Sequence, residues 1–418
     1  MPKLAMSPSG DALDVEEMDS KKGWKVVFAA FWGLLLSVGV LVVYSYGVLI
    51  SAMSAEFGWG ALEASTLFAA FSFSSTAGGI LWGMFADRRG GRLTVLISSA
   101  LLAGCFFVLS LLPGNLLAMH LLFAAIGLLG SGTLPPIFSS IVVGWFDRHR
   151  GLALGATMAG VGVGAAILPP LTAFMTAEFG WRQTISLLGL AVIVLMIPVA
   201  ALLLREHQHA QDMRTKRSGG RREAIRLAFN QRNGWLLAMF ALLTGGILVT
   251  SVTMFVPILQ DRGETVANAA VYQSILGASL IGGRFFIGLL IDRIFAPYVM
   301  MAVLFVTTAG FFVLYFASTP PAYLLAAVGI GLAVGAEVDF LGFMVSRYFP
   351  REAFATIFAV MFAMYSLGAS SVPLGFGWLA ESTGGFDLGI MLFGVLIFGL
   401  ALMMFLLPGY RGYQRTKV

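Results

Sequence analysis

Charge is scarce in this sequence. Asp, Glu, Lys and Arg supply 11% of its 418 residues, against about 25% in an ordinary soluble protein. Apolar residues rise to 58% and the mean hydropathy to +0.89. A water-soluble globule must hydrate much of its surface, and too little polar material is present here to do so. Soluble enzymes and DNA-binding proteins are thereby excluded. Cysteine is nearly absent: Cys105 alone allows neither an internal disulfide nor a thiolate metal cluster, which also excludes a disulfide-stapled secreted domain. The four histidines are too scattered to form a metal site. No Gly-x-x-x-x-Gly-Lys stretch occurs, so no phosphate loop for ATP is present. No cofactor is expected.

The chain does contain long apolar runs. Crossing about 30 Å of hydrocarbon takes about 20 residues of helix, because every backbone polar group must be satisfied internally. Twelve such spans are predicted, at 25–50, 61–86, 93–112, 115–143, 151–178, 183–204, 233–259, 266–291, 297–317, 320–347, 351–380 and 386–408. The expected fold class is an all-α membrane protein of twelve transmembrane helices in two pseudo-symmetric six-helix bundles. The bundles are 23–204 and 233–408, joined by a polar, Arg-rich linker at 205–232. Residues 1–22, acidic at Asp11, Asp14, Glu16, Glu17 and Asp19, and residues 409–418 are expected as cytoplasmic tails, the first disordered and unlike a cleaved signal peptide.

Basic residues set the orientation. With a cytoplasmic N-terminus, 23 of the 26 Lys and Arg residues fall on cytoplasmic segments, leaving Arg182 and Arg262 outside and Arg284 within a span. The opposite orientation inverts the positive-inside rule. Both termini are expected in the cytoplasm, and the protein in the cell membrane. The net charge of +5 then lies at the inner face, against anionic lipid. No stacking aromatics alternate with it, so nucleic acid is not an expected partner.

The two halves repeat. Gly83-x-x-x-Asp87-Arg88 ends the second span and Gly288-x-x-x-Asp292-Arg293 the eighth, 205 residues on. Trp145-Phe146 after span four matches Tyr348-Phe349 after span ten, 203 residues on. Duplicated six-helix halves point to alternating access, with a site near the midplane between them. The first copy continues to Arg92, and Gly83 to Arg92 resembles the loop signature of the major facilitator superfamily. That resemblance implies a twelve-helix transporter with gating residues at Asp87, Arg88, Arg92, Asp292 and Arg293. Trp145 to Gly160 is similar to the fifth-span signature of the monocarboxylate porter family, matching seven of eleven specified positions. The likeness extends to bacterial oxalate:formate exchangers, in which an arginine of span eight anchors the substrate carboxylate.

Arg284 lies eight residues before Asp292, about 12 Å into the span. Arginine at such depth costs at least about 2.5–3.5 kcal/mol, so it should face protein or a wet cavity. Its helical face carries Gln273, Gly277 and Gly288. A guanidinium offers a planar fork to a carboxylate; a structural ion pair is the plainer reading. Glu337 and Asp339 in span ten are the candidate partners and proton carriers. They stand about 200° apart on a helix, so only one can share the cavity of Arg284, and the sequence does not say which. At the repeat offset Arg284 corresponds to Gly79 and Asp339 to Pro135, so the N-terminal half lacks these charges. Tyr44, Tyr46 and Tyr365 are candidate hydroxyl donors to substrate.

Other features read as structure. His120 is expected as a satisfied interface histidine, Gly160-x-Gly162-x-Gly164 as helix packing, and Pro135-Pro136 and Pro169-Pro170 as kinks. Exchangers of dicarboxylates carry a second cation in span eleven, and here that span has none beyond Arg351, so a monoanion is favoured. The lysine found in span one of proton-coupled animal relatives is also missing between Ser45 and Ile50. The expected function is secondary transport of a small monocarboxylate such as lactate or pyruvate, coupled to protons, by a protein working as a monomer. Exchange of other organic anions and efflux of amphipathic compounds are the alternatives. No enzymatic activity is expected.

Overall fold

The computed structural model describes residues 21–146, 149–206, 226–291, 293–350 and 353–409. Most of both expected tails and of the linker, together with Asp147, Arg148, Asp292 and Arg351, lie outside the described residues. Spans one to three are α1 (Lys21–Leu35) with α2 (Val38–Phe57), α3 (Ala61–Arg89) and α4 (Gly91–Leu111). Span four is α5 (Leu116–Gly130) with α6 (Pro135–Val143), and spans five and six are α7 (Arg150–Ala191) running on to α8 (Ile197–Leu203). The second half is α9 (Arg232–Asp261), α10 (Val266–Ile291), α11 (Ala296–Phe316), α12 (Pro320–Tyr348), α13 (Phe354–Thr383) and α14 (Asp387–Met403).

Eleven stretches of the described residues are long and apolar enough to cross a membrane. One, Leu152–Leu203, has 52 residues, far more than one crossing needs. Gly180 divides it, with φ 79° and ψ 160°, a conformation that penalises any side chain. The described residues therefore provide twelve crossings. Large apolar side chains such as Leu111, Phe316 and Trp378 stand exposed on the outside, as a lipid-facing surface requires.

Pro169 and Pro170, the expected kink, lie inside the continuous helix, and its non-helical break comes at Gly180. The prolines also act on what they free. Lacking N–H groups, they leave the carbonyls of Ala165 and Ala166 without helical donors. Ser274 Oγ of α10 donates to Ala166, and Gly277 lies directly over the Ala165 backbone. Spans one and four are each broken, and the breaks meet. Thr133 Oγ1 accepts the Val38 N–H at 3.0 Å and donates to the Gly130 carbonyl at 2.8 Å. Pro135 then opens α6, where no N–H is needed. The counterparts α9 and α12 run unbroken.

The repeat is also visible in bonds. Trp145 Nε1 donates to the Arg205 carbonyl at 2.8 Å, and Tyr348 OH to the Pro408 carbonyl at 2.6 Å. Each ties the end of a fourth span to that of a sixth. At the opposite, far end Glu56 pairs with Arg182 at 2.7 Å, and Arg262 with Asp387. These pairs also join equivalent spans, with the charges exchanged.

The halves meet at the far end and part at the basic end. Along α3, Ser65 lies under Gly377, and Ser72 Oγ is 2.8 Å from Ser370 Oγ. Seven residues further on the same face, Gly79 has nothing within 4 Å of a Cβ position, nor has Gly83. Along α7, Ala165 meets Gly277 and Gly162 meets Ile281, yet Gly155 meets nothing. The same two faces are thus closed on one side and bare on the other. Because Cys105 is buried, a Ser72→Cys, Ser370→Cys double variant should form its disulfide readily under mild oxidation, followed by gel mobility after proteolysis between the halves. Gly277→Leu, which pushes α10 off the Ala165 backbone, should slow that cross-link.

Candidate functional site

Three glycines let α10 and α12 approach closely. Gly331 and Gly335 lie over the carbonyls of Leu276 and Leu280, and Gly283 faces the Leu332 backbone. Gly331, Gly335 and Asp339 form one stripe, four residues apart, so the stripe that makes the contact also delivers the carboxylate. Arg284 Nε and Asp339 Oδ2 are 4.0 Å apart, within reach of an ion pair and too long for a hydrogen bond. Arg284 Nη1 donates to the Met158 carbonyl of the other half at 3.2 Å, while its buried Nε has no hydrogen-bond partner. The two side chains are 23% and 56% exposed. Met158 lies about one turn from bare Gly155 on α7, which puts the pair at the floor of the opening.

Glu337 points elsewhere. About 200° round the helix from Asp339, it is buried, and its Oε1 accepts the Tyr365 hydroxyl at 3.0 Å. Thr244 of α9 lies beside it, and its buried Oε2 has no partner. Tyr44 of α2 is buried within electrostatic reach of both Arg284 and Glu337. Residues of both halves therefore converge here, with Asp339 on the opening and Glu337 behind it.

Other candidates fall away from this cluster. Gln273 is fully buried and donates to the Val252 carbonyl at 2.9 Å, about 16 Å along α10 from Arg284. Its shared helical face is covered by α9 and does not border the opening. Tyr46 donates to the Ala64 carbonyl and packs on Phe68 and Phe123; it lines a small apolar pocket of about 30 Å³ within the first half. Arg92 donates to Ala201 of α8, and its N–H to Glu206 at 2.8 Å, so it latches the loop within its own half. Asp87, Arg88 and Arg293 are exposed at the basic end. His120 has both ring nitrogens bonded, to Leu116 and Thr66. Thr244 was not anticipated, although the Thr244-Gly245-Gly246 run signalled a close crossing: Gly245 lies against Tyr365.

A sequence model of the Major Facilitator Superfamily matches residues 32–373. The chain belongs to the major facilitator superfamily. Monocarboxylate transporter 11 of Homo sapiens is 26% identical over 408 residues, spanning 95% of this chain and 84% of that protein. The 3-(3-hydroxy-phenyl)propionate transporter of Escherichia coli strain K12 is 25% identical over 392 residues, 89% of this chain and 94% of the other. The crystal structure of the nucleoside transporter NupG superposes with a TM-score of 0.72 at 14% identity, covering 92% of this chain and 98% of that one. This major facilitator is a multi-pass membrane protein, and its family and relatives are transporters of small molecules.

Tyr365→Phe removes the one hydroxyl bonded to Glu337 Oε1. Leaving that buried acceptor short of a donor should cost about 1–3 kcal/mol, read as lowered resistance to SDS unfolding in bicelles.

Proposed function

We propose that the protein is a secondary active transporter of an organic monocarboxylate, coupled to protons and working by alternating access. The observation that carries this reading is Arg284: a guanidinium within the hydrocarbon depth, at the floor of an opening, holding one carbonyl, one loose carboxylate and one orphaned N–H. A purely structural arginine at such cost would be fully paired. A substrate carboxylate supplies the missing acceptor in a planar fork. The described part of span eleven, α13, has no Lys or Arg, which favours a single negative charge. The names of the two relatives, a monocarboxylate and a phenylpropionate transporter, agree with an anion, while fold alone leaves the substrate open.

Coupling follows from competition. Asp339 and the substrate carboxylate cannot both hold Arg284, so the incoming anion releases Asp339, which takes up a proton from the opening. Glu337, held by Tyr365, is the reserve carrier. The basic end is the cytoplasmic one by the positive-inside rule, so the opening faces the cytoplasm of a cell-membrane protein. The chain works as a monomer, since both halves contribute to one site.

Arg284→Lys keeps the charge and loses the fork, and should cut uptake of the transported acid into proteoliposomes at least tenfold while insertion is normal. Unaltered uptake kinetics would return Arg284 to a structural role. Asp339→Asn should lose accumulation driven by an inward proton gradient yet retain exchange of internal for external substrate; accumulation at the original level would remove Asp339 from the proton path.

A further inference from the structure

An aromatic strip runs beside this site. Phe354, Phe358, Phe362 and Tyr365 lie on one face of α13 at spacings of four, four and three. Their successive ring centroids are 5.8, 6.5 and 5.5 Å apart, with planes 5°, 33° and 17° from parallel. Both ends of its inner part touch the helix that carries Asp339. Phe358 lies over Gly342 of α12, 3.4 Å from where a Cβ would stand, and Tyr365 bonds Glu337. Between them Phe362 is 36% exposed.

That exposure is not toward lipid. The outward stripe of α13 carries Leu367, Ser371 and Trp378, with Trp378 62% exposed. At 100° per residue Phe362 stands about 140–180° away from all three. It is open instead to the space between the halves, the space in which Gly79 and Gly83 of α3 meet nothing. A carboxylate anchored on Arg284 would carry the rest of its molecule into that space, against the strip.

We propose that Phe358, Phe362 and Tyr365 form an aryl-binding face, so that the acid carried is a ring-bearing monocarboxylate rather than one of lactate size. This rests on Arg284 as the carboxylate anchor. Parallel or edge-on packing of a substrate ring against such a face gains more than equal apolar bulk does, whereas lactate would leave the strip wet.

Calorimetric titration of the whole protein in nanodiscs with 3-phenylpropionate, 3-cyclohexylpropionate, lactate and 3-phenylpropanamide separates these ideas. Phenylpropionate should bind about three- to tenfold more tightly than its cyclohexyl analogue, with lactate weaker than both. Phe362→Leu should erase the ring preference and Phe362→Tyr should keep it, which separates loss of the ring from loss of the fold. Equal affinity for the phenyl and cyclohexyl acids, a preference surviving Phe362→Leu, or lactate binding best would overturn the strip while leaving Arg284 in place. Amide binding as tightly as acid, with the ring preference intact, would overturn Arg284 as anchor and leave the strip standing.

Discussion

Hydrocarbon offers no water to a stray N–H or carbonyl, and this constraint organises the protein. Two of the departures from straight helix described above are answered by a nearby group. The break in span one puts Val38 N–H on Thr133, whose own hydroxyl returns to Gly130. Pro170 frees the Ala166 carbonyl, and Ser274 of the opposite half takes it up. The second case joins the two halves through a backbone carbonyl that Pro170 releases.

The same constraint explains where charge is allowed. The N-terminal half solves its polar problem with broken helices, and the C-terminal half with unbroken helices that carry Arg284, Glu337 and Asp339. Close approach of α10 and α12 through glycine is what makes the second solution work. It brings a guanidinium to a carboxylate without long, flexible side chains having to search for each other. The contact is left loose at 4.0 Å, longer than a hydrogen bond.

Most of the architecture was legible in the sequence, because a span announces itself by length and the repeat by its offset. Arg284 and Asp339 could be given equal depth from residue counts alone. What a count could not give was azimuth: whether Asp339 or Glu337 faces α10 depends on which neighbour each glycine stripe admits. Gln273 shows the same limit, since one helical face can be lined by the opening at one level and by α9 at another. Tyr46 looked like a twin of Tyr44, yet two residues of rotation turn it into packing inside the first half. The break at Leu36–Ser37 had no proline to announce it, and the group that answers it is a threonine 95 residues from Val38. The aromatic strip was written plainly at helical spacing and was hidden by the abundance of phenylalanine around it.

The exchanged ion pairs at the far end have a consequence for assembly. Two bundles descended from one ancestor present nearly interchangeable helices while the chain is being inserted. Span one ends in Glu56 and takes Arg182 from span six; span seven ends in Arg262 and takes Asp387 from span twelve. Were span twelve to dock where span six belongs, Asp387 would face Glu56. Span six in the reverse error would bring Arg182 against Arg262. Each wrong pairing sets like charges together, so the reversal of sign acts as an address label that tells each last helix which bundle is its own.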